Sequence, residues 1–166
     1  MGRDFMPTVS TRARVSYKPG EMDALVNDVK SYPTFIPMCS DVRLLSEGAH
    51  RLQATMSLKK GAIRLIFTTE NSMEAGRHIR MRLVDGPFKR LNGLWTFTPQ
   101  GDSGSETAFR LDFEFASGLL SMLLGGFFNE VSESMVDAFC RQAAKKYGPR
   151  EPFGEAGVSI KGGAFS

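Results

Sequence analysis

Apolar and polar residues alternate with a period of two along much of this chain, and the alternation marks out its elements. From Thr8 to Tyr17, the residues Val9, Thr11, Ala13 and Val15 share one face of a strand that Pro19-Gly20 ends. The period then changes. Met22, Leu25, Val26 and Val29 recur at helical spacing and Pro33 and Pro37 punctuate the stretch, which predicts two short helices with a break near Ser31. Strands follow, beginning with DVRLLSEG and HRLQATMSLKKG as a hairpin turning near Gly48. Ile63, Leu65, Phe67 and Thr69 oppose Arg64, Ile66 and Thr68, while Ile79, Met81 and Leu83 oppose Arg80 and Arg82. Leu91, Gly93, Trp95 and Phe97 lie on one side of the next strand. In the last, Phe109, Leu111, Phe113 and Phe115 face away from Arg110, Asp112 and Glu114. Such patterns belong to antiparallel strands with one dry and one wet face.

The final element is helical, with Leu120, Leu124, Phe127, Phe128, Val131, Met135, Ala138 and Phe139 on one broad apolar stripe and Gly148-Pro149 as its stop. Strands followed by a helix predict an α+β domain in which the helix packs on the dry face of one curved antiparallel sheet. The start of that helix, SGLLSMLLGGFF at residues 117–128, is too short to span a bilayer and too apolar for a surface helix. Its expected place is against the dry face, opposite Leu91, Trp95, Phe97, Phe113 and Phe115. Gly125-Gly126 is expected to bend or weaken it, as a lid hinge, a close approach to another backbone, or a bent end over a filled core. Phe88, just after Gly86-Pro87, and Phe35-Ile36, between two prolines, are further apolar tips expected to rim the same opening, unless Phe88 folds back on the core.

The composition is 42% hydrophobic and 23% charged over 166 residues, which suits one compact domain. It divides into an N-terminal extension (residues 1–7), the domain (8–147) and a glycine-rich tail (148–166) that has no period and is expected to be mobile. The net charge of +3 permits an anionic partner without demanding one. Two cysteines without a CxxC or Cys/His cluster argue against zinc. The start has no apolar secretory segment, so a reducing cytoplasm is expected.

Candidate catalytic groups are sparse. His50 and His78 have no evident partner in the motifs, and Cys39 has no neighbouring cation to activate it. Glu70 and Glu74 share a face of the sheet, a spacing open to acid–base work but read first as exposed charge. The expectation is a binding protein rather than an enzyme, with neither metal nor catalytic cofactor.

Three segments carry a more specific signal. VSYKPGEMDALVNDVKSYPTFIPMCSDV, GPFKRLNGLWTF and FRLDFEFASGLLSMLLGG…VSESMVDAFCRQA, in that order, resemble the coenzyme Q-binding protein and ribosome association toxin A family, part of the START-like helix-grip superfamily. The resemblance runs from Thr8 to Tyr147. Tyr32, Pro33, Phe35, Pro37 and Cys39 match the family's turn; Gly86, Pro87 and Phe88 its loop; Leu91, Trp95 and Phe97 the following strand; Met135, Val136, Phe139 and Ala143 the closing helix. Met38 stands where many members carry Trp, and Gly126 where Pro is common.

The resemblance implies a seven-stranded antiparallel sheet gripping a long C-terminal helix around a hydrophobic tunnel, and a monomer that binds ubiquinone in support of respiration. Its expected lining and mouth combine Phe35, Ile36, Met81, Leu83, Phe88, Leu91, Trp95, Phe97, Phe113 and Phe115 with Leu120, Leu124, Phe127, Phe128, Val131 and Met135 on the helix. Trp95 is a candidate donor to a quinone oxygen, against the plainer reading of a core Trp. Peripheral contact with the inner face of the membrane is compatible with such a ligand. The alternative is a toxin that binds the large ribosomal subunit through outward Arg64, Arg80, Arg82 and Arg110, a face that also carries Asp112 and Glu114. Filling the cavity by Gly93→Leu and reversing Arg80 and Arg82 to Glu are the variants expected to separate the two.

Overall fold

A computed structural model describes residues 8–150 and the backbone of 159–162. The elements are β1 (Thr8–Val15), α1 (Pro19–Asn27), a 3-10 turn (Val29–Ser31), α2 (Tyr32–Phe35), β2 (Cys39–Glu47), β3 (Arg51–Lys60), β4 (Ile63–Glu74), β5 (His78–Asp85), β6 (Phe88–Gln100), β7 (Gly104–Phe115), α3 (Gly118–Glu133), α4 (Met135–Tyr147) and β8 (Ser159–Gly162). All strand pairs are antiparallel, in the order β2-β3-β4-β5-β6-β7-β1-β8. The seven expected strands and the helix they grip are therefore present. An eighth, Ser159–Gly162, in the tail that shows no period, pairs with Thr11–Arg14 on the edge of β1 beyond those seven. The expected extension over residues 1–7 lies outside the described residues.

The alternation read in the sequence is the alternation of burial. Leu65 and Phe67, Ile79, Leu91 and Trp95, and Phe109, Leu111, Phe113 and Phe115 all point into the core, while Arg64, Arg80, Arg82 and Arg110 point out. Shifts in register at Thr68/Thr69, Phe88/Arg90 and two places between β2 and β3 insert residues that bend the sheet. That bend wraps the sheet around α3 and α4. At its far end α1 is tied to the β4–β5 turn, where the Gly76 amide donates to Asp23 Oδ2 at 3.1 Å.

The C-terminal helix is broken, but not at its glycines. Gly125 and Gly126 both lie inside α3, and the break falls at Ser134. The Ser132 hydroxyl donates to the Phe128 carbonyl and the Ser134 hydroxyl to that of Val131, each at 2.8 Å. Ser134 N–H also turns back to Val131 at 3.1 Å, tightening the last turn of α3.

A Cβ added at Gly126 meets nothing within 4 Å, and one at Gly125 meets only Ser121 Oγ at 3.7 Å. Close packing therefore does not account for the glycine pair. Gly125→Ala and Gly126→Ala are each expected to raise stability by about 0.5–1 kcal/mol, since alanine restricts the unfolded chain and favours helix. Thermal unfolding of the two variants checks this.

A candidate ligand cleft and a basic outer face

Aromatic side chains gather at two places along the gripped helix. Under α3, Phe128 meets Phe113 at 4.8 Å, Phe88 at 5.0 Å and Phe67 at 5.8 Å between ring centres, and Phe88 stacks on Phe115 at 4.6 Å. Under α4, Phe139 packs edge-on against Trp95, Phe35 and Tyr32 at 5.2–5.4 Å, and Trp95 stacks on Phe109 at 4.4 Å. Between these clusters runs a cleft lined by Met56, Leu58, Phe67, Met81, Leu91, Phe109, Leu111, Phe128, Val131, Ser132 and Met135.

Its open volume is only about 30 Å³, room for little more than a water molecule. Ligand pockets commonly hold about 300–1,000 Å³, so accommodating a lipid requires side chains to move. Three of the lining residues are methionines, whose unbranched thioethers rearrange at low cost. Ser132 is the one hydroxyl in the lining, and its proton is committed to the Phe128 carbonyl. The cleft thus suits a hydrocarbon chain better than a polar head.

Of the residues expected at the cavity, Met81, Leu91, Phe128, Val131 and Met135 line it. Trp95, Phe97, Phe113, Phe115 and Phe127 are buried in the core, as is Ile36, and Leu83, Leu120 and Leu124 pack partly buried against it. Trp95 is 1% exposed and absent from the cleft's lining, the plainer of its two readings. The three apolar tips do not rim one opening. Phe88 folds back beneath α3, as the second reading of it had it, whereas Phe35 packs on Phe139 of α4. The opening run is also less buried than expected: Leu119, Met122 and Leu123 are 63%, 77% and 60% exposed.

Met56 and Leu58 also line it without being expected there, although Leu52, Ala54, Met56 and Leu58 alternate on β3 as clearly as any set. Phe67, Phe109 and Leu111 line it too, where the alternation places them on the inward face without marking them as lining. Gly93 adjoins two of the lining residues: an added Cβ would lie 3.1 Å from Met81 Sδ and 3.3 Å from Leu111 Cδ1. With so little open volume, Gly93→Leu overpacks the core, so Gly93→Ala is the gentler way to fill the cleft.

Of the catalytic candidates, His78 and Glu74 come together, with His78 Nε2 3.9 Å from Glu74 Oε1, and both carboxylates are also engaged by arginines. Glu70 is ion-paired with Arg82 and, at 3.6 Å, with Arg51, while Glu74 pairs with Arg77 at 3.2 Å. Burial pushes the Cys39 thiol up to about 11 and the Cys140 thiol up to about 12, far from a neutral-pH thiolate. Among the described residues no three of His, Cys, Asp and Glu come together as a metal site, and no helix is long and apolar enough to cross a membrane.

On the outer face the four arginines divide into pairs. Arg82 is held by Glu70, and Arg110 lies 3.5 Å from Asp112, which also accepts from Thr8 Oγ1 at 2.7 Å. Arg64 and Arg80 have no ion pair within 4 Å among the described residues, and Arg64 lies directly across from Lys59.

A curved antiparallel sheet closed around a helix with an apolar cleft beneath it defines a START-like helix-grip domain. Residues 15–140 match the family described as polyketide cyclase / dehydrase and lipid transport, and the chain belongs to that family, in its branch of ribosome association toxin and coenzyme Q-binding proteins. Ribosome association toxin RatA of Vibrio cholerae is 42% identical over 143 residues, covering 86% of this chain and 99% of the relative. The mitochondrial coenzyme Q-binding protein COQ10 homolog B of Xenopus laevis is 35% identical over 138 residues, covering 79% of this chain and 55% of that protein. In fold, the Zhui aromatase/cyclase from Streptomyces sp. R1128 superposes with a TM-score of 0.75 at 16% identity, covering 88% of this chain and all of that one. A START superfamily protein from Mycobacterium smegmatis does so with a TM-score of 0.62 at 18% identity, covering 79% and 97%.

Proposed function

We propose that this chain is a binding protein for an isoprenoid quinone, ubiquinone being the leading candidate, working in the cytoplasm. The observation that carries this reading is the cleft between the two aromatic clusters, walled by hydrocarbon and thioether groups and roofed by α3. The family's description as lipid transport and the name of the Xenopus relative support it. Burial contributes roughly 0.8 kcal/mol per CH₂, so a few isoprene units offset the cost of moving the methionines. The tail occupies the cleft and the polar quinone ring stays towards its rim, because the lining offers no free donor.

A second reading is inhibition of ribosomal subunit association by binding to the large subunit. The name of the Vibrio relative favours it, as do Arg64 and Arg80, outward cations with no ion pair within 4 Å among the described residues.

One experiment separates the two. Gly93→Ala is expected to lower ubiquinone uptake about tenfold, the equivalent of about 1.4 kcal/mol. Its stability should fall by about 1 kcal/mol, because Met81 can give way. Arg64→Glu with Arg80→Glu is expected to leave uptake unchanged. Arg80 and Arg64 are better chosen than Arg80 and Arg82, since reversing Arg82 also leaves the buried Glu70 facing a like charge. Loss of binding to the large ribosomal subunit in the double arginine variant, with quinone uptake absent in the parent, would overturn the carrier reading in favour of the ribosomal one.

A further inference from the structure

The sheet ends on a strand supplied by the chain's own tail. β8 is outermost in the strand order and pairs antiparallel with Thr11–Arg14, four of the eight residues of β1. A strand this short, on the rim of a sheet, adds little stability of its own.

Its register is also poorly matched in charge. Lys161 stands opposite Arg12 and Ser159 opposite Arg14, so β8 sets no acidic residue against either cation. Arg12 is 55% exposed and reaches Glu106 of β7 only at 4.0 Å, and Arg14 is exposed as well. Like charges at directly opposite positions destabilise a strand pair.

A tether offsets the mismatch. Just past α4, Arg150 donates to both carboxylate oxygens of Glu21, at 2.7 and 2.9 Å, and to the Ser16 carbonyl at 3.3 Å. Its guanidinium also lies 4.7 Å from the centre of the Tyr17 ring. Ser16 follows the last residue of β1, and Ser159 pairs with Arg14, so this latch holds the start of the tail beside the edge that β8 covers. Only residues 151–158 join the two. Tethered so closely, β8 meets the edge at an effective concentration of roughly millimolar.

We propose that the edge of β1 is a strand-addition site for an extended acidic segment of a partner protein, with β8 as its resident competitor. Main-chain hydrogen bonds along Thr11–Arg14 supply the affinity, and Asp or Glu opposite Arg12 and Arg14 supplies the specificity. A tethered but mismatched strand blunts the edge against chance pairing and still yields to a better-matched one. None of Thr11, Arg12, Ala13 and Arg14 lines the cleft, so the site is independent of what the cleft takes up.

Fluorescence anisotropy on the full chain tests this with two labelled peptides. One is EAGVSIKGGA, residues 155–164, and the other is the same peptide with Lys161→Glu. The Lys161→Glu peptide is expected to bind about fivefold more tightly. Arg12→Glu in the chain is expected to reverse that preference. Ile160→Pro with Lys161→Pro in the chain removes two consecutive backbone N–H groups, one of which faces β1 whatever the phase of the ladder. This variant is expected to bind both peptides at least tenfold more tightly than the parent, and one of the two amides of Arg12 and Ala13 to exchange faster in it. Arg150→Ala, which loosens the tether, is expected to shift binding the same way by a smaller factor. No binding to the proline variant, or equal binding of the two peptides to the parent and to Arg12→Glu, would overturn the proposal. So would sedimentation showing that the proline variant forms a dimer absent in the parent, because the occupant of the edge would then be a second copy.

Discussion

Phe128→Ala is expected to lower the stability of the fold by about 3–5 kcal/mol, the cost of emptying an aromatic site in a packed core. Its ring is 3% exposed and meets Phe67, Phe88, Phe113 and Phe115 at 4.8–6.0 Å. These rings come from β4, β6 and β7, so the contact joins α3 to three strands at once. The site has little freedom to collapse, because its neighbours already pack on one another, Phe88 stacked on Phe115 and Phe113 edge-on to it. Phe128 also lines the cleft, so its removal enlarges the space rather than blocking it. Loss of stability with retained quinone uptake at temperatures where the variant is folded is the expected pair of results. Urea unfolding measures the first, and a change below about 1 kcal/mol would contradict the central position assigned to this ring.

Gly86→Ala is expected to cost about 3 kcal/mol or more, for two independent reasons. Its φ of +146° lies where side chains other than glycine's hydrogen are strained, and an added Cβ would lie 2.7 Å from Phe67 Cβ and 3.2 Å from Phe67 Cα. A flexible side-chain tip could move aside; the backbone of β4 cannot. Phe67 in turn supports Phe128 and Phe88, so the clash is transmitted into the aromatic cluster under α3. Equilibrium unfolding of the variant reads the cost directly, and a stability equal to that of the parent would mean that the β5–β6 turn packs differently against β4.

The strands from β1 to β7 were legible because each sets apolar residues against the core. A one-residue error in phase would have put Arg80 and Arg82 inside, so period and burial had to agree. The two short helices were legible for the same reason, with Met22, Leu25, Val26 and Val29 all buried where their spacing placed them.

The break at Ser134 was not legible. VSES reads as ordinary helix, and only the turning of two hydroxyls back onto carbonyls interrupts it. Gly125-Gly126, the conspicuous signal, runs through α3 intact, held by the turn that follows, where Phe127 and Phe128 are buried against the sheet. Exposure of Leu119, Met122 and Leu123 was equally hidden. An apolar run signals burial, and nothing in its composition distinguishes a core stripe from an exposed helix face. The strand at Ser159–Gly162 depends on the free edge of β1, which no local pattern in the tail announces.

The cleft itself was half legible. Its residues on β5, β6 and the helix stood out, while Met56 and Leu58 on β3 did not, because the cleft's position depends on where the curved sheet and the broken helix part from each other.

The central claim is that the space under α3 takes up an isoprenoid. Organic extraction of the purified chain followed by mass spectrometry tests it most directly. A quinone or other isoprenoid recovered at close to one per chain is the predicted result. An empty extract, together with no uptake of added ubiquinone, would contradict it and leave the cleft as ordinary core.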